Sequence, residues 1–205
     1  MNLAGSTAVG WYTLPNSKDY YFPAGQSASA EQLFIDCASQ AQGTVNVPDF
    51  YGINLMFNDS LPRTFGGKQQ ATIGGVARVY GVTWISSLSG PDLSTVEHEM
   101  GHAYGWLHST TPDAHDEYQN AWDIMSAAYN NCAIDDPIYG CGGKQTIADN
   151  RVSAGWIPAE RQYTAGPSTH HIALDRTTLP PSTGYLVAIV PINGSSQKYL
   201  TIETL

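Results

Sequence analysis

The chain has 205 residues, 42% of them hydrophobic and 13% charged, which is enough apolar material for a folded domain and excludes a disordered chain. Its 18 acidic and 9 basic residues leave a formal net charge of −9 with no Lys/Arg cluster, so neither nucleic-acid binding nor an electrostatic membrane anchor is expected. The apolar runs are too short for a membrane-spanning helix, and the opening MNLAGSTAVGWYTLP lacks the charged and apolar regions of a signal peptide.

In chain order, WYTL (11–14) reads as a short strand. Residues 27–43 read as a helix, with a capping-box pattern at Ser29 and Gln32, a face of Leu33, Phe34, Cys37 and Ala41, and a stop at Gly43. YGINLMFN (51–58) reads as a buried strand and FGGKQQATIGG (65–75) as a glycine-rich connection. VARVYGVTWISS (76–87) gives one or two strands with a bulge at Gly81. Residues 89–105 form the second helix, with a capping box at Ser94 and Glu97 and an end at Gly105. Beyond 109 periodicity weakens. Cys132 and Cys141 flank a turn-rich loop that suits a short disulfide and an oxidising compartment, which leaves Cys37 as a buried free thiol. Short β-like runs follow at 170–174, 184–192 and 198–205, and the last of them stops without a turn, as at a cut near a domain edge. The order predicts an α+β fold, a sheet packed on two main helices with an irregular C-terminal half. It divides as 1–108 and 109–205 within one unit.

The chemistry is concentrated in VEHEMGHAYGWLHS, residues 96–109. On a helix, positions four apart differ by about 40° around the axis, so His98 and His102 share a face and can hold one ion at ~2.0–2.1 Å each. Glu99, about 100° away, is badly placed as a ligand and well placed to hydrogen-bond a water on the metal. Gly105 tolerates positive φ and lets the chain turn, so that His108 can swing back as a third nitrogen. Three neutral imidazoles leave the metal's +2 charge intact, which favours acidification of a bound water that Glu99 can deprotonate. A closed structural site usually takes a fourth protein ligand, often Cys, and no cysteine lies near the motif.

His98-Glu99-x-x-His102-x-x-Gly105-x-x-His108 resembles the extended zinc motif of the metzincin metalloproteases, and WDIMSAAY supplies Met125, 17 residues after His108, where that group has its methionine-containing turn. EYQNAWDIMSA further resembles the corresponding stretch of gametolysin-like and immune-inhibitor-like secreted peptidases, with Gln119-Asn120 in place of their Gly-Asp. The resemblance is strong at about residues 90–130 and extends more weakly over 18–205. It implies a zincin-like catalytic domain with a mixed twisted sheet, one Zn2+ held by His98, His102 and His108, Glu99 as general base, and Met125 as a structural floor. It also implies that strand 83–87 is an edge binding an extended peptide, with Thr83, Trp84, Ile85, Ser86 and Tyr129 as substrate contacts; the alternative is an ordinary internal strand whose Trp84 fills the core. Some metzincins carry a tyrosine two residues after the methionine; here Ala127 stands there and Tyr129 is the nearest tyrosine.

The remaining candidates read more plainly. His115, His170 and His171 lack metal spacing and read as surface or hydrogen-bonding groups. Asp113, Asp116 and Glu117 match no Ca2+ loop pattern and read as a solvated loop. Asn58 and Asn193 open glycosylation-type triplets. The expectation is a secreted, monomeric zinc endopeptidase acting on a peptide or protein substrate, without nucleic-acid or membrane partners. The rival readings are a catalytically silent binding or adhesion module on a protease fold and a zinc hydrolase of a non-peptide amide or ester.

Overall fold

The computed structural model describes residues 5–87, 92–109, 118–127, 132–178 and 183–204. The fold is α+β. Among the described residues no helix is long and apolar enough to cross a membrane. Two compact units are formed, Asn2–Lys144 and Gln145–Leu205, so the division falls later than the expected boundary after residue 108.

The first unit contains α1 (Lys18–Tyr21), α2 (Ala30–Ala41), strands β1 (Gly52–Met56), β2 (Phe65–Ile73) and β3 (Val76–Ile85), helix α3 (Leu93–Tyr104), and a small hairpin of β4 (Ile134–Asp136) and β5 (Gly140–Gly142). The sheet order is β1-β3-β2, with β1 parallel and β2 antiparallel to β3. WYTL forms no strand. The stretch read as a glycine-rich connection is instead a nine-residue strand, β2. Gly74 and Gly75 (φ +58° and +80°) turn it tightly into β3, the conformation that two-residue hairpin loops require. Gly81 forms no bulge, since its pairings with Gly52 and Lys68 lie in unbroken register on both sides.

The core explains the strand pattern. Leu33, Phe34 and Ala38 of α2 pack with Ala71 and Ile73 of β2 and with Tyr80, Val82 and Trp84 of β3. The rings of Phe34 and Tyr80 lie 5.3 Å apart and those of Phe65 and Trp84 4.5 Å apart. Neighbouring side chains in a strand face opposite ways, so Gly66 and Gly81 face α3. A Cβ at Gly66 would lie 2.0 Å from the Glu99 carbonyl oxygen, and one at Gly81 would lie 2.7 Å from that of Ala103. The helix therefore rests directly on the backbone of β2 and β3, a separation that only glycine permits. Strand β1, read as buried, is half-exposed along its length.

The expected capping boxes do not form. The Ser29 side chain makes no cap bond and Gln32 bonds Asp36 at 2.8 Å instead. Helix α3 is capped by Asp92, whose Oδ1 accepts from the Ser94 backbone N–H at 3.2 Å and from Ser94 Oγ at 2.7 Å. Aspartate is as good an N-cap as serine, and here it stands one position before the first helical residue.

The second unit has α4 (Ala148–Ser153) and a three-stranded sheet of β6 (Gln162–Thr164), β7 (Val187–Pro191) and β8 (Tyr199–Ile202), in the order β6-β7-β8. HHIAL contributes only an isolated bridge, Leu174 to Tyr185. Ala148, Ile157, Leu186 and Val187 form its core, and Glu203 pairs with Arg151 while accepting the Ala148 N–H at 2.7 Å.

Gly66→Ala should overpack the strand–helix contact and cost about 1–3 kcal/mol. Thermal denaturation should show a lowered Tm; an unchanged Tm would contradict the close approach of α3 to β2.

Candidate metal centre

Helix α3 places His98 and His102 one turn apart, with ring centroids separated by 4.8 Å. The helix then ends abruptly. Gly105 takes the left-handed conformation (φ +98°), its N–H bonds the His102 carbonyl at 2.9 Å, and the Trp106 N–H bonds the Gly101 carbonyl at 3.1 Å. This pair of bonds is the Schellman arrangement, which satisfies helix-end carbonyls while reversing the chain. His108 returns to the histidines of the helix, its ring 4.7 Å from His102 and 5.2 Å from His98. The ligand atoms of the three side chains all lie within 4.8 Å of one another.

Hydrogen bonds decide which nitrogen each imidazole offers. Nδ1 of His98 lies 2.7 Å from the Ile124 carbonyl oxygen, and Nδ1 of His102 lies 2.8 Å from that of Trp106. A carbonyl oxygen can only accept, so both Nδ1 atoms carry the proton and both Nε2 atoms present lone pairs. Such outer bonds to backbone carbonyls are the usual support of metal-binding imidazoles. Nε2 of His102 and Nε2 of His108 are 3.0 Å apart. Two lone pairs at that distance repel unless a proton or a cation lies between them. The donor set therefore fits a divalent ion such as zinc, for which imidazole bonds are about 2.0–2.1 Å. Burial holds the His98 pKa below its ordinary value, which favours the neutral ring that a metal needs.

Met125 is fully buried, and its Sδ would lie 2.1 Å from a Cβ built on Gly101. It thus lies against the helix that carries the histidines. The same segment orients other parts of the site. Ile124 anchors His98, the Met125 carbonyl accepts the Ser109 N–H at 3.0 Å, and buried Asp123 accepts the Met125 N–H at 3.1 Å. The β4–β5 hairpin, joined by the Cys132–Cys141 disulfide, grips the other end of α3. The Leu93 N–H bonds the Tyr139 carbonyl at 3.1 Å. The Glu97 carboxylate, expected in a capping box, accepts the Gly143 N–H instead, while burial raises its pKa.

Glu99 is 9% exposed, and burial pushes its carboxyl up to about 7, against the smaller opposing effects of the Gly66 N–H that it accepts and of the Arg63 charge. A carboxyl tuned near neutrality and next to a metal ligand can take a proton from water and return it within one cycle.

The expected substrate strand is corrected by the topology. Thr83, Trp84, Ile85 and Ser86 are buried at the end of β3 and just beyond it, and β3 is the central strand, with β1 on one side and β2 on the other. Their backbone edge is already paired, and Trp84 fills the core. Two strands have one side unpaired among the described residues, β1 and β2, and β2 is the one whose Gly66 N–H reaches Glu99. Tyr129 lies outside the described residues, as do His115, Asp113, Asp116 and Glu117. His170 is exposed and bonds Tyr163 and Ser168, in keeping with an ordinary surface histidine. Cys37 is half-buried, and burial pushes its thiol up to about 12, which makes it unreactive.

One residue at the site was not anticipated. The Tyr118 hydroxyl lies 3.1 Å from Nε2 of His108, with its ring 4.5 Å from that of His108. Its φ of +72° is uncommon for a bulky residue, a strain characteristic of functional positions. Counting forward from Met125 directs attention to Tyr129, whereas Tyr118, which reaches His108, precedes the methionine.

No family model, no curated protein and no solved structure matches the chain.

Two measurements probe the centre. His108→Ala should weaken zinc binding by more than the ~10–100-fold that loss of an outer hydrogen bond costs; equal affinity by competitive chelator titration would remove His108 from the ligand set. The second concerns pH. The folded pKa of Glu99 lies above the ordinary 4.5, so its contribution to the stability of the metal-free fold is complete below that value and is lost as pH rises through about 7. His98 acts oppositely, being depressed from 6.5, with its contribution lost as pH falls. Glu99→Gln isolates the first effect. From about pH 5 to 8 the metal-free wild type should lose Tm relative to the variant, whereas parallel profiles would contradict a buried, raised carboxyl.

Proposed function

We propose that this chain is a zinc-dependent endopeptidase with a zincin-like catalytic domain of metzincin type. The observation that carries the reading is the convergence of His98, His102 and His108, the first two in their metal-binding tautomers, beside a buried carboxylate. A zinc ion bound there would polarise a carbonyl and acidify a water. His98, His102 and His108 hold the ion. Glu99 accepts a proton from the attacking water and delivers it to the leaving amine nitrogen. Tyr118, at His108, donates its O–H to the oxyanion that develops on the scissile carbonyl.

The substrate peptide lies along the outer side of β2. That side offers backbone groups for strand addition, and the Gly66 N–H at the start of the strand reaches Glu99. The disulfide and the acidic, lysine-poor composition support an extracellular setting.

Glu99→Ala should retain zinc and lose hydrolysis of an unfolded protein by ~10²–10⁴-fold. Mass spectrometry should find internal cuts with the wild type alone. Equal turnover by the variant would defeat the mechanism; zinc binding without cuts by either form would favour a silent binding module.

A further inference from the structure

Arg63 stands two residues before β2, and its position bears on which peptides the edge strand accepts. Its guanidinium carbon lies 5.5 Å from the centre of the Phe65 ring, and that ring in turn is stacked on Trp84 at 4.5 Å and 13°. The cation is thus seated on a rigid aromatic pair whose lower member is buried in the core. Arg63 is exposed and has no carboxylate partner within ion-pair distance among the described residues. In a chain with 18 acidic and 9 basic residues, a guanidinium seated on an aromatic ring near the candidate base and without an ion-pair partner among the described residues is conspicuous. Its five N–H donors form a planar fork matched to a carboxylate.

The direction of β2 locates the ligand. The strand runs from Phe65 at the site to Ile73 away from it, and Gly66 is the residue that reaches Glu99. Antiparallel pairing, the more stable kind per residue, lays the amino side of a substrate along the later residues of β2. The residues on the carboxyl side of the cleaved bond then pass Phe65 and Arg63. At ~3.3 Å per residue, Arg63 is reached within about three residues of the cut.

Resting on the endopeptidase reading above, we propose that Arg63 is a specificity residue that selects a substrate carboxylate on the carboxyl side of the scissile bond. Successive side chains of an extended peptide face opposite ways, so the preference falls on one position and not on its neighbours. The carboxylate belongs to an Asp or Glu side chain within a longer peptide or to the chain terminus itself.

The test uses zinc-loaded protein and peptides carrying Glu or Gln at each of the first three positions after the cut, together with peptides that end there as an acid or an amide. Wild type should favour Glu over Gln at one position by about tenfold in kcat/KM, the factor that ~1.4 kcal/mol supplies. Arg63→Gln should abolish that ratio and Arg63→Glu should invert it in favour of Lys. A preference for the free acid over the amide, without a Glu preference, assigns the chain terminus as the source. Binding of the same peptides to Glu99→Gln, read by fluorescence anisotropy, keeps the test independent of turnover. A Glu preference in binding that Arg63→Gln removes supports the inference even where no peptide is cut, so failure of the hydrolase reading is separately visible. Equal handling of Glu and Gln and of acid and amide by wild type, or a preference that survives Arg63→Glu, would overturn it.

Discussion

A single left-handed residue makes the centre. Without Gly105 at φ +98°, α3 would continue and carry its next residues away from His98 and His102. With it, the chain reverses within one residue, the Trp106 carbonyl comes under His102 to fix its tautomer, and His108 returns with Nε2 3.0 Å from that of His102. The same turn therefore supplies one candidate ligand and orients another. Any L residue with a Cβ would be strained at that φ.

Around that turn, the site is held by backbone contacts that leave little slack. Gly66 and Gly81 let α3 lie against the sheet, and Gly101 lets Met125 lie against α3. Asp123 shapes the segment whose Ile124 carbonyl orients His98. The disulfide hairpin fixes the start of the helix through Tyr139 and Gly143. Ligand geometry thus depends on helix placement, and helix placement depends on glycines whose substitution would push backbone against backbone.

Legibility in the sequence followed the range of the interactions. The four-residue spacing of His98 and His102, and the turn at Gly105, are set within a few residues and could be read directly. Met125 could be located because a family resemblance supplied its spacing. Strand β2 could not be read from its pattern. The face it turns to α3 begins with Gly66, where close packing demands the absence of a side chain, so the usual apolar alternation is missing. Strand order is a non-local property, and nothing in TWISS distinguishes a central strand from an edge. The caps failed for a subtler reason. Ser94 and Glu97 have the right spacing, but Asp92 competes for the same N–H groups and Glu97 finds a better donor in Gly143. Tyr118 sits in a loop conformation that no local propensity anticipates.

The most direct test of the central claim is X-ray absorption at the zinc edge of protein loaded with one equivalent of zinc. The account predicts three imidazole nitrogens and one further light ligand at about 2.0–2.1 Å. A first shell with fewer than three imidazoles, or with a sulfur ligand, would contradict it.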